Sequence, residues 1–294
     1  MRELARRVRC DSVGGGGPIM NHILSTICAG LVAIVIAAGA AAASPDRVKF
    51  LEGEAAAKRL TPEERAAEVK GYLPAGAVDA GAVIPAPPAV DSALDKSDVA
   101  RLKGANGGAG AARWEKAMAD DASVYDRFES ALGLMPDRKR LPRLVGLLNR
   151  VAEDVLAAAA DAKKRFPRPR PFQRFQLTRV CGQATPPKPE ASPATGTSYP
   201  SGHAAVSWAA ALVMMETRPD QASSLIVRAV DYGHSRVVCG VHFPSDVDAG
   251  HLVAVAVIDK LFAVPEFRRD LICAKQEVQA VVAGQRSEDL AACQ

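Results

Sequence analysis

From Leu144 onward, apolar side chains recur at Leu147, Leu148, Val151, Val155 and Leu156, the three-four spacing of a helix with a single apolar face. The face continues through Ala157–Ala160 to a basic end, Lys163-Lys164-Arg165. Pro167, Pro169 and Pro171 then forbid another helical turn. No stretch alternates with a strand's two-residue period as clearly as this one follows a helix's. Composition agrees: aromatic residues are only 5% and alanine is abundant, which favours helices over strands. With 48% apolar residues in 294, a sizeable core can be buried. The fold class expected is an all-α helical bundle.

Other segments fit that frame. From Arg113, the residues Trp114, Met118, Asp121, Tyr125, Phe128 and Leu132 keep helical spacing, and Asp121 alone breaks the apolar stripe. Ala204–Glu216, Ser223–Tyr232 and a final helix over about 245–262 complete the bundle, with a proline-bearing loop (Pro186, Pro187, Pro189, Pro193) before them. Residues 44–110 read as a partly irregular N-terminal arm. Tyr72 to Ser92 is rich in Pro, Gly and Ala, Gly104 to Gly110 is rich in Gly, and Thr61-Pro62 has the form of an N-cap followed by proline at N1. The arm is compatible with a homo-oligomer. The helical domain itself is expected over 111–294.

The N-terminus reads as a signal peptide over 1–43. Arg2, Arg6, Arg7 and Arg9 precede an apolar run from Ile23 to Ala43 that ends in small residues, with Ala41-Ala42-Ala43 as a cleavage site before Ser44. Met20 is an alternative start, and a retained membrane anchor is the rival reading. Cleavage would place the protein in the periplasm or outside the cell, with no stable membrane insertion. Cys181, Cys239, Cys273 and Cys293 then remain, an even number in an oxidising compartment. Three pairings are open; the one expected is Cys181–Cys239 with Cys273–Cys293, against free buried thiols. No C-x-x-C spacing suggests zinc, and a net charge of +4 does not suggest a nucleic-acid partner.

Three short stretches carry chemistry. In K-K-R-F-P-R-P-R-P (163–171), Lys163 ends a helix, where a cation is favoured, and Arg168 and Arg170 alternate with prolines on a stiffened chain. That alternation places both arginines on one side. In Pro200-Ser201-Gly202-His203, Ser201 is a natural N-cap, Gly202 permits close approach of a ligand, and the start of the following helix suits an anion. In Ser235-Arg236, His242 and Asp246, the carboxylate four residues beyond the imidazole is expected to accept a hydrogen bond from Nδ1–H. That bond would leave Nε2 as a nucleophile. Each stretch alone has a bland reading: a basic helix end, a capped helix, a salt-bridged loop. Together they supply the cations, the anion-binding amides and the two imidazoles that phosphoryl transfer requires.

The spacing K-x6-R-P, P-S-G-H, S-R-x5-H-x3-D resembles the signature of the superfamily that contains type-2 phosphatidic acid phosphatases and vanadium haloperoxidases. Every motif position is present: Lys163, Arg170-Pro171, Pro200 to His203, Ser235-Arg236, His242 and Asp246. Over roughly residues 72–262 the chain is most similar to the bacterial class A non-specific acid phosphatases. The similarity lies in S-Y-P-S-G-H (198–203), S-R-V-V-C-G-V-H (235–242), S-D-V-D-A (245–249), Tyr72-Leu73-Pro74 and Arg113-Trp114 to Ala122. Thr197, Ala204 and His234 depart from that class, which usually has Gly, Thr and Gln there.

The resemblance implies a helical bundle of the acid phosphatase and vanadium haloperoxidase type. It also implies a broad-specificity acid phosphatase of small-molecule phosphate monoesters, acting through a phosphohistidine. His242 would be the nucleophile, Asp246 its orienting partner, and His203 the acid that protonates the leaving group and then activates water. Lys163, Arg170, Arg236, Ser201 and Gly202 would hold the phosphate. Arg168 would stand behind the site or at its entrance. No cofactor or metal is implied, since cations do that electrostatic work. The alternatives are a lipid or isoprenoid phosphate phosphatase, usually a protein with several membrane-spanning helices, and a vanadate-dependent haloperoxidase, distinguished by halide oxidation with added vanadate. A non-enzymatic exported protein is a fourth reading. A metal set of His242, Asp246, Asp248 and His251 is the rival use of the last helix. Otherwise His251 is structural and His234 lies at the rim.

Overall fold

In a computed structural model, the described residues are 45–66, 69–177, 179–182, 197–286 and 293. The signal-peptide reading of 1–43 and most of the proline-bearing loop lie outside them. The helices in chain order are α1 (Pro45–Glu52), α2 (Glu54–Arg59), α3 (Pro62–Ala66), α4 (Ala80–Val83), α5 (Ala93–Gly108), α6 (Ala111–Ala122), α7 (Glu129–Leu132), α8 (Pro142–Arg165), α9 (Pro171–Arg174), α10 (Gly202–Thr217), α11 (Ala222–Val238), α12 (Pro244–Phe262) and α13 (Pro265–Val282). No strand occurs among the described residues. The all-α expectation holds.

α10 is the centre. Its sequence is apolar on every side, the mark of a helix surrounded by protein. It packs against α8, α11, α12 and α13. α8 turns Leu144, Leu147, Leu148, Val151 and Val155 into this core, and Ala152, Ala158, Ala159 and Ala162 extend the buried face. α13 seals the far end. Its Glu277, fully buried, accepts hydrogen bonds from the Arg143 and Leu144 amides (3.1 and 2.9 Å), so a side chain of one helix satisfies the free N–H groups that open another.

The path departs from the expectation in four places. The helix over 113–132 breaks at Ser123, whose backbone is extended and whose Oγ donates to Asp126 Oδ1 (2.6 Å), and a 3₁₀ turn over Tyr125–Phe128 then leads into α7. α5 runs through the glycine-rich stretch, because its inner face is held by buried polar side chains: Asp95, Asp98 and Asn106 beside Leu102. α11 continues past Tyr232 to Val238, so Ser235 and Arg236 lie on a helix rather than a loop. The helix ending at Phe262 is not the last, since Pro265 opens α13. At Thr61 the cap forms as read: Thr61 Oγ1 accepts from the Glu64 amide and Glu64 Oε2 from the Thr61 amide (3.2 and 2.8 Å).

Residues 69–92 dock on the body of the chain. Asp154 of α8 accepts the Tyr72 and Leu73 amides (2.8 and 3.1 Å), and Tyr199 Oη donates to the Pro85 carbonyl (2.6 Å). Disulfides join Cys181 to Cys239 and Cys273 to Cys293, the expected pairing. Among the described residues no helix is long and apolar enough to cross a membrane.

A close helix contact brings α12 onto the first turn of α10. A Cβ on Gly250 would lie 2.5 Å from the Ser201 carbonyl oxygen and 3.2 Å from the Ala205 nitrogen. Backbone cannot yield as a side chain does, so Gly250→Ala should force the two helices apart. We expect a loss of about 2 kcal/mol or more, read as a lower urea midpoint with unchanged slope. An unchanged midpoint would show that the contact tolerates a methyl group.

Candidate active site

Two helix starts and two turns meet beside that contact. Ser201 is the N-cap of α10: its Oγ accepts from the Ala204 amide (3.3 Å), and its own amide donates to the Asp246 carbonyl (2.9 Å). The N1 and N2 amides, Gly202 and His203, have no acceptor within the helix. The Ser201 hydroxyl hydrogen is still available to donate. Nothing in the protein's own packing demands glycine at 202, since an added Cβ would meet Leu156 at an ordinary 3.6 Å.

Lys163, in the last turn of α8, donates to the Thr197 and Pro200 carbonyls (3.0 and 2.5 Å) and so holds the strand of chain leading into α10. Burial, with Arg170 nearby, lowers its ammonium to about 8. Arg170 caps α9, and its Nη1 donates to the Val241 carbonyl (2.9 Å) and lies 3.2 Å from His242 Nε2. Burial and the neighbouring Arg236 bring the Arg170 guanidinium down to about 10. Arg236, buried near the end of α11, donates Nη1 to Asp121 Oδ1 (2.7 Å), while its Nε finds no partner among the described residues. A buried donor without an acceptor calls for a ligand.

His242 sits in the turn between α11 and α12. Gly240 makes that turn: its φ is +72°, and a Cβ there would come 2.6 Å from Leu177 Cδ1. The expected hydrogen bond from His242 Nδ1 to Asp246 is not formed; the separation is 3.6 Å. Asp246 is the third residue of α12, and its Oδ2 is already taken by the Phe243 amide (2.7 Å) and the Ser198 hydroxyl (2.5 Å). Ser198 Oγ lies 3.4 Å from Nδ1, so serine stands between imidazole and carboxylate. Because arginine only donates, the contact from Arg170 requires a lone pair on Nε2 and the proton on Nδ1. Burial, then Arg170, Lys163 and Arg236, hold this imidazole well below the usual histidine range.

His203 is half-buried in the first turn of α10. Burial and Arg236 lower its proton affinity, and Asp121 pulls the other way. Its ring meets the edge of Phe50 at a centroid distance of 4.6 Å. Arg168 does not share Arg170's direction. It is 5% exposed and reaches Asp246 Oδ1 (2.6 Å), Ser245 Oγ (2.8 Å), Asp98 Oδ2 (3.0 Å) and Asp95 Oδ1 (3.4 Å). The three carboxylates draw it behind the His242 turn, while the α9 cap sends Arg170 to the front.

Residues 144–270 match the PAP2 superfamily. A non-specific acid phosphatase of Providencia stuartii is 35% identical over 206 residues, 68% of this chain and 81% of that one. An acid phosphatase of Zymomonas mobilis is 32% identical over 197 residues (66% and 73%), and a non-specific acid phosphatase of Salmonella typhimurium is 32% identical over 212 (70% and 83%). The chain belongs to the PAP2 superfamily, with the non-specific acid phosphatases.

Within this PAP2 site, the metal set of His242, Asp246, Asp248 and His251 divides in two. Asp248 and His251 line a separate groove with Arg101 and His234, and His251 stacks on Trp208 at 4.1 Å. No group of three His, Cys, Asp or Glu among the described residues could share a metal ion. His234 receives Arg113 Nη2 (3.0 Å) at the edge of that groove. Thr197 has its own use: Oγ1 accepts from the Arg168 amide (2.8 Å) and donates to the Phe166 carbonyl (3.0 Å). Two contributors were missed by motif reading. Ser198 had no signal beyond being a serine in the S-Y-P-S-G-H stretch. Asp121 had one, since it alone interrupts the apolar stripe of α6.

The charge on Lys163 depends on pH. Below about 8 the ammonium is charged; above it the charge is lost. Phosphate is a dianion by about that pH, so any further change reports the protein. We expect affinity for inorganic phosphate, measured calorimetrically, to fall toward tenfold per pH unit above 8, and Lys163→Arg to flatten the decline. A flat wild-type profile would remove Lys163 from the anion's surroundings.

Proposed function

We propose that this acid phosphatase hydrolyses phosphate monoesters of varied leaving groups through a phosphohistidine on His242 Nε2. The observation that carries the reading is the Arg170–Nε2 contact. It fixes the lone pair on the side where Lys163, Arg170 and the unsatisfied Arg236 Nε gather. A tetrahedral anion there would meet three cations, the Ser201 hydroxyl and the Gly202 amide, the donor set that stabilises charge on equatorial oxygens. The positive charge a metal ion would bring is supplied by side chains.

In the first step the Nε2 lone pair attacks phosphorus, the P–O ester bond breaks, and His203 gives its proton to the departing oxygen. The ring's new positive charge is balanced through Nδ1–H, the Ser198 hydroxyl and Asp246. In the second, water gives a proton to His203 and attacks phosphorus. The N–P bond breaks, inorganic phosphate leaves, and Nε2 regains its lone pair. His203 needs a proton at the outset, yet burial and, after it, the repulsion of Arg236 depress its affinity in the free protein. The substrate's negative charge cancels that repulsion, so the acid is armed by the molecule it serves.

Export to the periplasm or beyond, after removal of 1–43, is part of the proposal. The two disulfides support an oxidising compartment.

His242→Ala should lower turnover of a chromogenic ester by at least about 10³-fold. An alkaline quench of labelled ester should trap phosphate on the wild-type chain only; labelled protein from the variant would move the nucleophile elsewhere. Ser198→Ala should lower kcat about tenfold with little change in KM. Wild-type kcat in that variant would take the serine out of the relay.

A further inference from the structure

We propose that Phe50 is a specificity-determining residue: its ring is the wall against which the leaving group of an aryl phosphate packs as it departs past His203. The inference rests on the reading that His203 faces the leaving group. In-line displacement puts the departing oxygen opposite His242 Nε2, next to the acid that protonates it. Whatever touches the outer side of that acid therefore borders the rest of the leaving group. In this chain the ring in contact with His203 is Phe50, at 4.6 Å between centroids and 65° between planes.

Phe50 is fixed in place. α1 is fastened to the body on both sides of it. Val48 and Leu51 are 2% and 1% exposed. Glu52, the next residue but one, accepts Arg138 Nε and Nη2 (2.6 and 2.8 Å) and Asn149 Nδ2 (2.8 Å). Arg47 reaches Glu153 of α8 at 3.2 Å. A side chain presented from a clamped helix loses little freedom when a ligand packs on it. Phe50 itself is only partly buried, so part of its ring remains for such contact.

The surroundings of the two sides differ. The phosphate side carries Lys163, Arg170 and Arg236. Near the start of α10 the next apolar neighbour is Leu156, whose Cδ2 would stand 3.6 Å from a Cβ on Gly202, and Leu156 too is partly buried. A flat apolar group gains from an aromatic wall by edge or offset contact, whereas a polyol keeps its water. Selection therefore falls on the leaving group and leaves the phosphate contacts untouched.

The test compares phenyl phosphate with glycerol phosphate, each measured as kcat/KM in the full mature chain. The phenyl-to-glycerol ratio should fall about fivefold in Phe50→Ala and in Phe50→Leu, and Phe50→Tyr should restore it. The leucine variant keeps an apolar side chain of similar bulk on α1, so it decides the matter if the alanine variant does not fold. A purely structural residue would lower both esters alike and leave the ratio at its wild-type value, which would overturn the proposal. Wild-type protein that hydrolyses neither ester, or His242→Ala protein that hydrolyses both, would instead bring down the reading of the site, and this inference with it.

Discussion

The contact between the first turn of α10 and the first two turns of α12 is the constraint on which the site depends. α12 approaches the start of α10 so closely that only a hydrogen atom fits on the facing residue, Gly250. The Ser201 amide donates across the gap to the Asp246 carbonyl, and the Asp246 side chain secures the Phe243 amide at the opening of its own helix. One residue thus fixes both the direction in which α10 offers its free amides and the turn that carries His242. The placement of the motif residues is a by-product of helix packing, which is why so many of them lie in the core rather than on loops.

Charge is arranged in two layers around that contact. Behind it, Arg168 is matched to Asp95, Asp98 and Asp246, and Arg174 closes on Asp95 (2.7 and 2.8 Å). Buried ions are tolerable when paired and hydrogen-bonded in this way. In front, Lys163 and Arg170 are depressed by burial and by other cations, while Arg236 pairs with Asp121 (2.7 Å). The back layer holds the frame that sets the positions of the front layer. Preorganisation of this kind avoids the reorganisation that water would require around a developing charge.

Legibility from sequence followed the physics of each segment. α8 is plain because its buried face is apolar and prolines end it. α5 is not, because the face it buries is Asp95, Asp98, Leu102 and Asn106: the helical period is there, but written in polar residues that hydrophobicity alone passes over. α13 carries Phe267, Leu271, Ala274 and Val278 at helical spacing, yet Pro265 reads as an end before it reads as a beginning. The motif residues could be read as a set because each names a chemical type at a fixed interval. The serine between His242 and Asp246 could not, because a gap of 3.6 Å in place of 2.8 Å is decided by competition for one carboxylate oxygen, and no spacing rule records that.

The bond between Cys181 and Cys239 spans 58 residues of sequence. It makes a covalent ring of the chain that includes the whole of α10 and the arginine of α11, and it ends three residues before the histidine of the following turn. An unfolded molecule that keeps this ring has far fewer ways to separate the start of α10 from the His242 imidazole. The entropy removed is worth about 4 kcal/mol for a loop of that size. After denaturation, an oxidised chain therefore begins its search for the native state with the start of α10 and the His242 turn already leashed together.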